Sequence, residues 1–255
     1  PAAARTDVSR RGEPQQPERF VAATKPMSAS AVHCQSNARS DAREGAERLR
    51  IGGLTPLTTL DFPGELAAVV FCQGCPWRCR YCQNGGLLDA RRDDLIPWYR
   101  VRDLLDRRGG LLDAVVFSGG EPTLQAALPA AMAEVKTRGF KVGLHTAGPY
   151  PERLGPVLPY VDWVGLDIKA LPEDYPAVTG IPGSGTGPWQ SLGLLLDAGV
   201  ALEVRTTPMP GLDSADYLDR LMHRLGAAGV RDHVLQRCHT ERSLDRELRT
   251  QIPAA

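Results

Sequence analysis

Six cysteines occur in the chain, and four of them fall between residues 72 and 82. Cys75, Cys79 and Cys82 stand in the order C-x3-C-x2-C, in Cys75-Pro76-Trp77-Arg78-Cys79-Arg80-Tyr81-Cys82. Soft thiolates in one short loop are suited to a zinc ion or an iron–sulfur centre. Three of them can hold three irons of a 4Fe-4S cube and leave the fourth iron open to a ligand, much as a catalytic zinc keeps an open position. Adding Cys72 gives C-x2-C-x3-C-x2-C, which could close a four-thiolate zinc site or an electron-transfer cluster. By spacing alone both readings stand. In the first, Cys72 is a small buried residue at the end of a strand, the usual situation of a free cysteine. A second group, Ser118-Gly119-Gly120-Glu121-Pro122, combines two glycines that permit close backbone approach with one carboxylate acceptor. Alone it reads equally as an ordinary turn.

These groups need a scaffold, and the pattern of apolar runs supplies one. The run at 66–71 leads directly into the cysteines, and further strand-length runs occupy 114–117, 141–144, 163–166, 202–205 and 233–236. Strands apolar on both faces suit a parallel sheet covered by helices. Between them, helical patterns cover 97–108, 124–138, 189–198 and 214–225; the last begins at a Ser cap, and the last three end at Gly139, Gly199 and Gly226. Strand and helix alternate about six times. The fold class is therefore α/β, either an open, partial (β/α) barrel or a doubly wound sheet. In both, chemistry belongs at the carboxyl ends of the strands.

Together the two motifs resemble the radical S-adenosylmethionine (SAM) superfamily, whose fold is a partial (β/α)6 barrel. The resemblance implies that Cys75, Cys79 and Cys82 ligate one 4Fe-4S cluster. The amino and carboxylate groups of SAM bind its open iron, and reductive cleavage gives a deoxyadenosyl radical. It further implies that Gly119, Gly120 and Glu121 line the pocket for the methionine amino group and that Tyr81 covers the cluster. The stretches at 53–64, 70–75 and 81–84, with Leu144-His145-Thr146-Ala147-Gly148, Gly165-Leu166-Asp167-Ile168-Lys169 and Val204-Arg205-Thr206-Thr207, are similar to the glycyl-radical enzyme activating proteins. Among these, the activators of anaerobic ribonucleoside-triphosphate reductase are the nearest in pattern, over about residues 49–240.

That likeness implies that Asp167, Lys169 and Arg205 meet the SAM carboxylate, with a monovalent cation near Asp167. Activators of pyruvate formate-lyase carry an Asp where this chain has His145. His145 and Thr146 are therefore expected to line the site, with His145 near the ribose or substrate. The implied partners are a glycyl-radical enzyme and a flavodoxin or ferredoxin reductant. Two other functions stay open: a radical SAM enzyme acting on a small molecule or peptide, and a four-cysteine electron-transfer or zinc module.

Composition sets the remaining bounds. Of 255 residues, 42% are hydrophobic, and 30 basic residues balance 30 acidic ones. No global field draws the chain to nucleic acid or an anionic membrane, and no apolar run reaches bilayer length. The first residues lack the apolar middle of a secretory signal, so a cytoplasmic location is expected. Residues 1–48 are rich in Ala, Arg, Ser, Gln and Pro and are expected to be disordered, with Met27 as an alternative start. His33 and Cys34 lie there without a role. One domain is expected over 49–255, with Cys238 a buried, unreactive thiol.

Overall fold

The computed structural model describes residues 45–250. Residues 1–44, with Met27, His33 and Cys34, lie outside the described residues. Of the stretch expected to be disordered, 45–48 are described, and Ala46 is already buried in the core.

Seven strands form one sheet in simple chain order. They are β1 (Ile51–Thr58), β2 (Ala67–Cys72), β3 (Ala114–Gly119), β4 (Lys141–Thr146), β5 (Trp163–Asp167), β6 (Ala201–Thr206) and β7 (His233–Leu235). β1 runs antiparallel to β2, and β2 to β7 are mutually parallel. The order never reverses. Right-handed crossovers between strands laid down in sequence put every connection on one face. This excludes the doubly wound alternative and gives a partial (β/α)6 barrel. β1 was not anticipated, because Gly52, Gly53 and Pro56 break its strand pattern.

Period-two alternation divides the strand residues between two cores. Ala68, Val70, Cys72, Val115, Phe117, Val142, Leu144, Val164, Leu166 and Val204 face the helices. Ala67, Val69, Ala114, Val116 and Trp163 face the bore, where Phe62 from the β1–β2 loop packs against Trp163 at 5.3 Å between ring centroids. Gly143 makes room for that plug, since a Cβ there would lie 3.0 Å from the Phe62 ring.

The crossovers are α1 (Trp98–Arg107) between β2 and β3, α2 (Leu128–Thr137) between β3 and β4, α3 (Tyr175–Thr179) and α4 (Thr186–Ala198) between β5 and β6, and α5 (Ala215–Ala227) between β6 and β7; α6 (Arg246–Thr250) follows β7. Ser214 caps α5 as expected, its Oγ accepting from the Tyr217 N–H at 3.2 Å. The β4–β5 connection contains two 3-10 turns, Pro151–Arg153 and Leu158–Tyr160, and no α-helix. Pro151, Gly155, Pro156 and Pro159 make a continuous helix too costly there. No helix among the described residues is long and apolar enough to cross a membrane.

Candidate active site

At the carboxyl ends of β2 to β7 lies a cavity of about 540 Å³. All twelve residues singled out in the sequence line it: Cys75, Cys79 and Cys82; Tyr81; Gly119, Gly120 and Glu121; His145 and Thr146; Asp167, Lys169 and Arg205. The strand ends bring together residues up to 130 positions apart in the chain.

The cysteine loop is fastened mainly by backbone. Gly74 and Cys75 donate to the Leu87 and Leu88 carbonyls, and Arg78 and Arg80 donate to Thr179 and Val178 at the end of α3. From the other side, the Leu244 and Asp245 N–H groups donate to the Cys82 and Arg80 carbonyls, and Arg80 pairs with Asp245 at 2.6 Å. Trp77 packs edge-on to the fully buried Tyr175 at 5.9 Å, and Leu248 of α6 joins the same apolar group. Burial pushes the Cys75 thiol up to about 12 and raises Cys79 as well. Such thiols are poor nucleophiles and become thiolates only when a metal displaces the proton.

Cys72 is fully buried, packs in the helix-side core and does not line the cavity. As the last residue of β2 it points to the face opposite the bore, so it cannot join the other three at one centre. The four-thiolate reading therefore has no support in this geometry.

The Gly-Gly-Glu loop packs directly on the cysteine loop. Gly120 and Glu121 donate to the Cys72 and Gly74 carbonyls, both at 2.9 Å. A Cβ on Gly119, whose φ is +118°, would come within 2.4 Å of the Cys72 nitrogen, and one on Gly120 within 2.2 Å of the Gly74 oxygen. Approach of backbone to backbone thus already requires both glycines. Glu121 is fully buried and is committed to bracing. Its Oε1 accepts from Thr123 N–H (3.0 Å), Thr123 Oγ1 (2.6 Å) and Thr146 Oγ1 (2.7 Å), and its Oε2 accepts from Ala147 N–H at 3.0 Å. Burial raises its pKa against these four donors. Only Oε2 retains spare acceptor capacity.

The opposite wall is built from charge. Asp167 Oδ1 accepts from Arg205 Nε at 3.1 Å, and Asp167 Oδ2 faces Lys169 Nζ at 3.6 Å. Burial works against the Asp167 carboxylate, but Lys169 and Arg205 outweigh it and hold it below the usual range. Burial likewise opposes charge on Lys169, yet the facing Asp167 carboxylate favours it, and its pKa stands well above the ordinary lysine value. Lys169 Nζ lies 5.4 Å from the Tyr81 ring centroid, while the Tyr81 hydroxyl is buried without a hydrogen-bond partner. Arg205 lies across Gly165, where a Cβ would meet the guanidinium at 2.7 Å. His145 Nε2 is 2.8 Å from the Asp61 carbonyl, which only accepts, so that nitrogen carries the proton. Burial, with the nearby Arg205 charge, lowers its pKa to about 4 and keeps the ring neutral.

A family model described as the Radical SAM superfamily matches residues 69–223, which span the cysteine loop and the charged wall. The chain belongs to the radical SAM superfamily. The chain is 34% identical to a pyruvate formate-lyase-activating enzyme of Clostridium pasteurianum over 140 residues, 51% of this chain and 57% of the relative. It is 31% identical to one of Streptococcus mutans over 176 residues, 62% of this chain and 64% of the relative. A shorter match, 30% over 118 residues, is to a 7-carboxy-7-deazaguanine synthase of Thermococcus kodakarensis, 38% of this chain and 46% of the relative. The chain thus spans about half to two thirds of the length of these relatives. In fold it resembles Streptococcus suis SuiB bound to S-adenosylmethionine, with a TM-score of 0.54, 14% identity, and coverage of 84% of this chain and 47% of that one.

Membership of the radical SAM superfamily implies a 4Fe-4S cluster and SAM. The residues present fit both. Three cysteine thiols line one part of the cavity, with Cys72 turned away, and Lys169 and Arg205, paired with Asp167, line it with them. Sequence reasoning quoted Ser118 and Thr207 within its motifs without giving them a role and missed Gln236, Arg237 and His239, all of which also line the cavity. The signal available for them was position alone: each is at or just beyond the end of a parallel strand.

Proposed function

We propose that this radical SAM protein is an activating enzyme that abstracts a hydrogen from a glycine α-carbon of a partner protein, leaving a glycyl radical on an anaerobic ribonucleoside-triphosphate reductase. The observation that carries the reading is the single open cavity in which the three cysteines face the Asp167–Lys169–Arg205 wall. The curated relatives named pyruvate formate-lyase-activating enzymes support the glycyl-radical class. The ribonucleotide reductase target rests on the sequence patterns at 53–64 and 81–84.

The 4Fe-4S cluster, which Cys75, Cys79 and Cys82 would hold, and SAM would together supply the hydrogen-abstracting chemistry. The protein's own part is placement and polarity. Cys75, Cys79 and Cys82 hold the cluster. Lys169 and Arg205 take the methionine carboxylate, since a carboxylate entering this wall needs paired donors. Gly119 and Gly120 leave their loop close enough for the amino group, with Oε2 of Glu121 as the available acceptor. Tyr81 and the apolar group beneath it keep water from the cluster side. His145, neutral and oriented by Asp61, offers an uncharged contact for the ribose or substrate. The proposal keeps a monovalent cation near Asp167, whose Oδ2, 3.6 Å from Lys169 Nζ, has acceptor capacity to spare. A flavodoxin or ferredoxin is the proposed reductant.

The short match to a deazaguanine synthase favours a second reading, a small-molecule substrate in the same cavity. Anaerobic reconstitution with iron and sulfide, followed by dithionite, SAM and the candidate reductase, separates them. A glycyl-radical doublet on the reductase by electron paramagnetic resonance, with stoichiometric 5′-deoxyadenosine and neither with Cys75→Ala, supports activation. 5′-Deoxyadenosine without any protein radical, even at saturating reductase, moves the assignment to a small molecule.

A further inference from the structure

The sheet has two edges, and they differ. β1 is bridged at Ile51 by Ile96. β7 has β6 as its one neighbour, and its outer side is bare among the described residues. In the parallel β6–β7 pairing, Asp232 accepts from Val204 and Gln236 donates to Thr206, so the even-numbered residues turn their backbone groups toward β6. His233 and Leu235 therefore present their N–H and C=O groups outward, in the spacing that an added strand would use. Val234 and Leu235 are 40% and 44% exposed, and neither proline nor lysine blunts this edge.

The edge is continuous with the cavity. Val234 is in register with Arg205, so its side chain shares the bore face with Arg205, and Gln236 and Arg237, immediately beyond, line the cavity itself. A residue paired beside Val234 on an added strand would face the same bore. Glycine has no side chain to grip, so an enzyme that selects one glycine in a protein must hold the backbone around it.

We propose that the free edge of β7 docks an extended, glycine-bearing segment of the partner protein by backbone pairing, so that the residue beside Val234 turns into the cavity. The proposal rests on the glycyl reading above for the identity of that residue. Pairing of this kind draws affinity from main-chain hydrogen bonds and tolerates varied sequences. A capped pentapeptide, Thr-Val-Gly-Val-Thr, is therefore an adequate probe.

With the reconstituted full-length protein and SAM under anaerobic conditions, this peptide should slow amide hydrogen exchange at the outward N–H groups of His233 and Leu235 at least fivefold. N-methylation of the peptide should abolish that protection at alternate positions only, a period-two response that side-chain recognition would not give. Leu235→Pro removes an outward N–H that no internal bond uses. It should raise the peptide KM at least tenfold and leave peptide-independent 5′-deoxyadenosine formation unchanged. Protection of the outward His233 and Leu235 amides in the partner-free protein, as by a second copy, would overturn the proposal. So would N-methyl effects without periodicity. Peptide carrying α-dideuterated glycine keeps the two readings apart: deuterium in 5′-deoxyadenosine without protection of β7 sinks the dock and keeps the glycyl chemistry, and protection without deuterium transfer does the reverse.

Discussion

The two walls of the cavity are built on different physics. The wall from β2 to β4 is held by main chain: the Gly119–Gly120 turn sits against Cys72 and Gly74, the cysteine loop is bonded to α3 and to the 244–245 segment, and one buried carboxylate, Glu121, ties its own loop to the end of β4. The wall from β5 and β6 is held by side-chain charge, with Asp167 between Lys169 and Arg205. Main-chain packing is intolerant of any added atom, whereas ion pairs in a partly wet cavity are graded and replaceable. The first wall should therefore fail all-or-none, and the second by degrees.

The largest expected effect is at the cysteines. Cys75→Ala should lose most of the bound iron and sulfide and all SAM cleavage, whereas Cys72→Ala should keep the cluster spectrum and lose only stability from a small core cavity. Iron and sulfide assays with the visible absorption spectrum decide this, and loss of the cluster in Cys72→Ala would break the distinction between the two sides of β2.

Next is Gly120→Ala. Its Cβ would sit 2.2 Å from a backbone oxygen that cannot rotate away, so we expect a cost of about 2–4 kcal/mol in urea unfolding together with loss of SAM binding. A variant of near wild-type stability would show that the loop is looser than its hydrogen bonds indicate.

On the charged wall, Asp167→Asn leaves Lys169 and Arg205 without their counter-charge. Asp167 is about one third exposed (37%), which limits the cost; we expect about 1–3 kcal/mol. SAM affinity, read by anaerobic equilibrium dialysis, should weaken roughly tenfold, as a shift of about 1.4 kcal/mol implies. An effect as complete as that of Cys75→Ala would erase the contrast between the walls.

The smallest effect concerns pH. The folded-state pKa of His145 is about 4, below the ordinary 6.5. The unfolded chain thus takes up this proton first as pH falls, and stability held in full above 6.5 drains away toward 4. Between pH 7 and pH 5 the loss from this residue is about 2 kcal/mol. His145→Gln, which can still donate to the Asp61 carbonyl, should flatten that part of the stability profile, measured as the difference between wild-type and variant urea midpoints at the two pH values.

The two walls were also legible to different degrees. The cysteine and Gly-Gly-Glu motifs could be read because both sit in short loops directly after apolar strands, and a loop that must wrap a centre leaves its ligands close in sequence. The charged wall was harder. Asp167 and Lys169 by spacing resemble any surface ion pair, and Arg205 lies 38 residues away; only the resemblance to activating proteins selected them. Glu121 was selected correctly as lining the site, but its bracing of Thr123, Thr146 and Ala147 could not be foreseen, because those partners meet only when β3 and β4 pair. β1 and the helix-free β4–β5 connection were missed or left vague for local reasons, the glycines and prolines that break their patterns.

The sequence by itself determined the element types, the parallel βα order and the ligand loop, because hydrophobic period and short-range motif are local properties of the chain. The tertiary structure alone decided between a partial barrel and a doubly wound sheet, turned Cys72 away from Cys75, Cys79 and Cys82, and left one strand edge bare beside the cavity. Each of these depends on which face a residue presents once strands are paired, and pairing is a relation between distant segments that no local pattern carries.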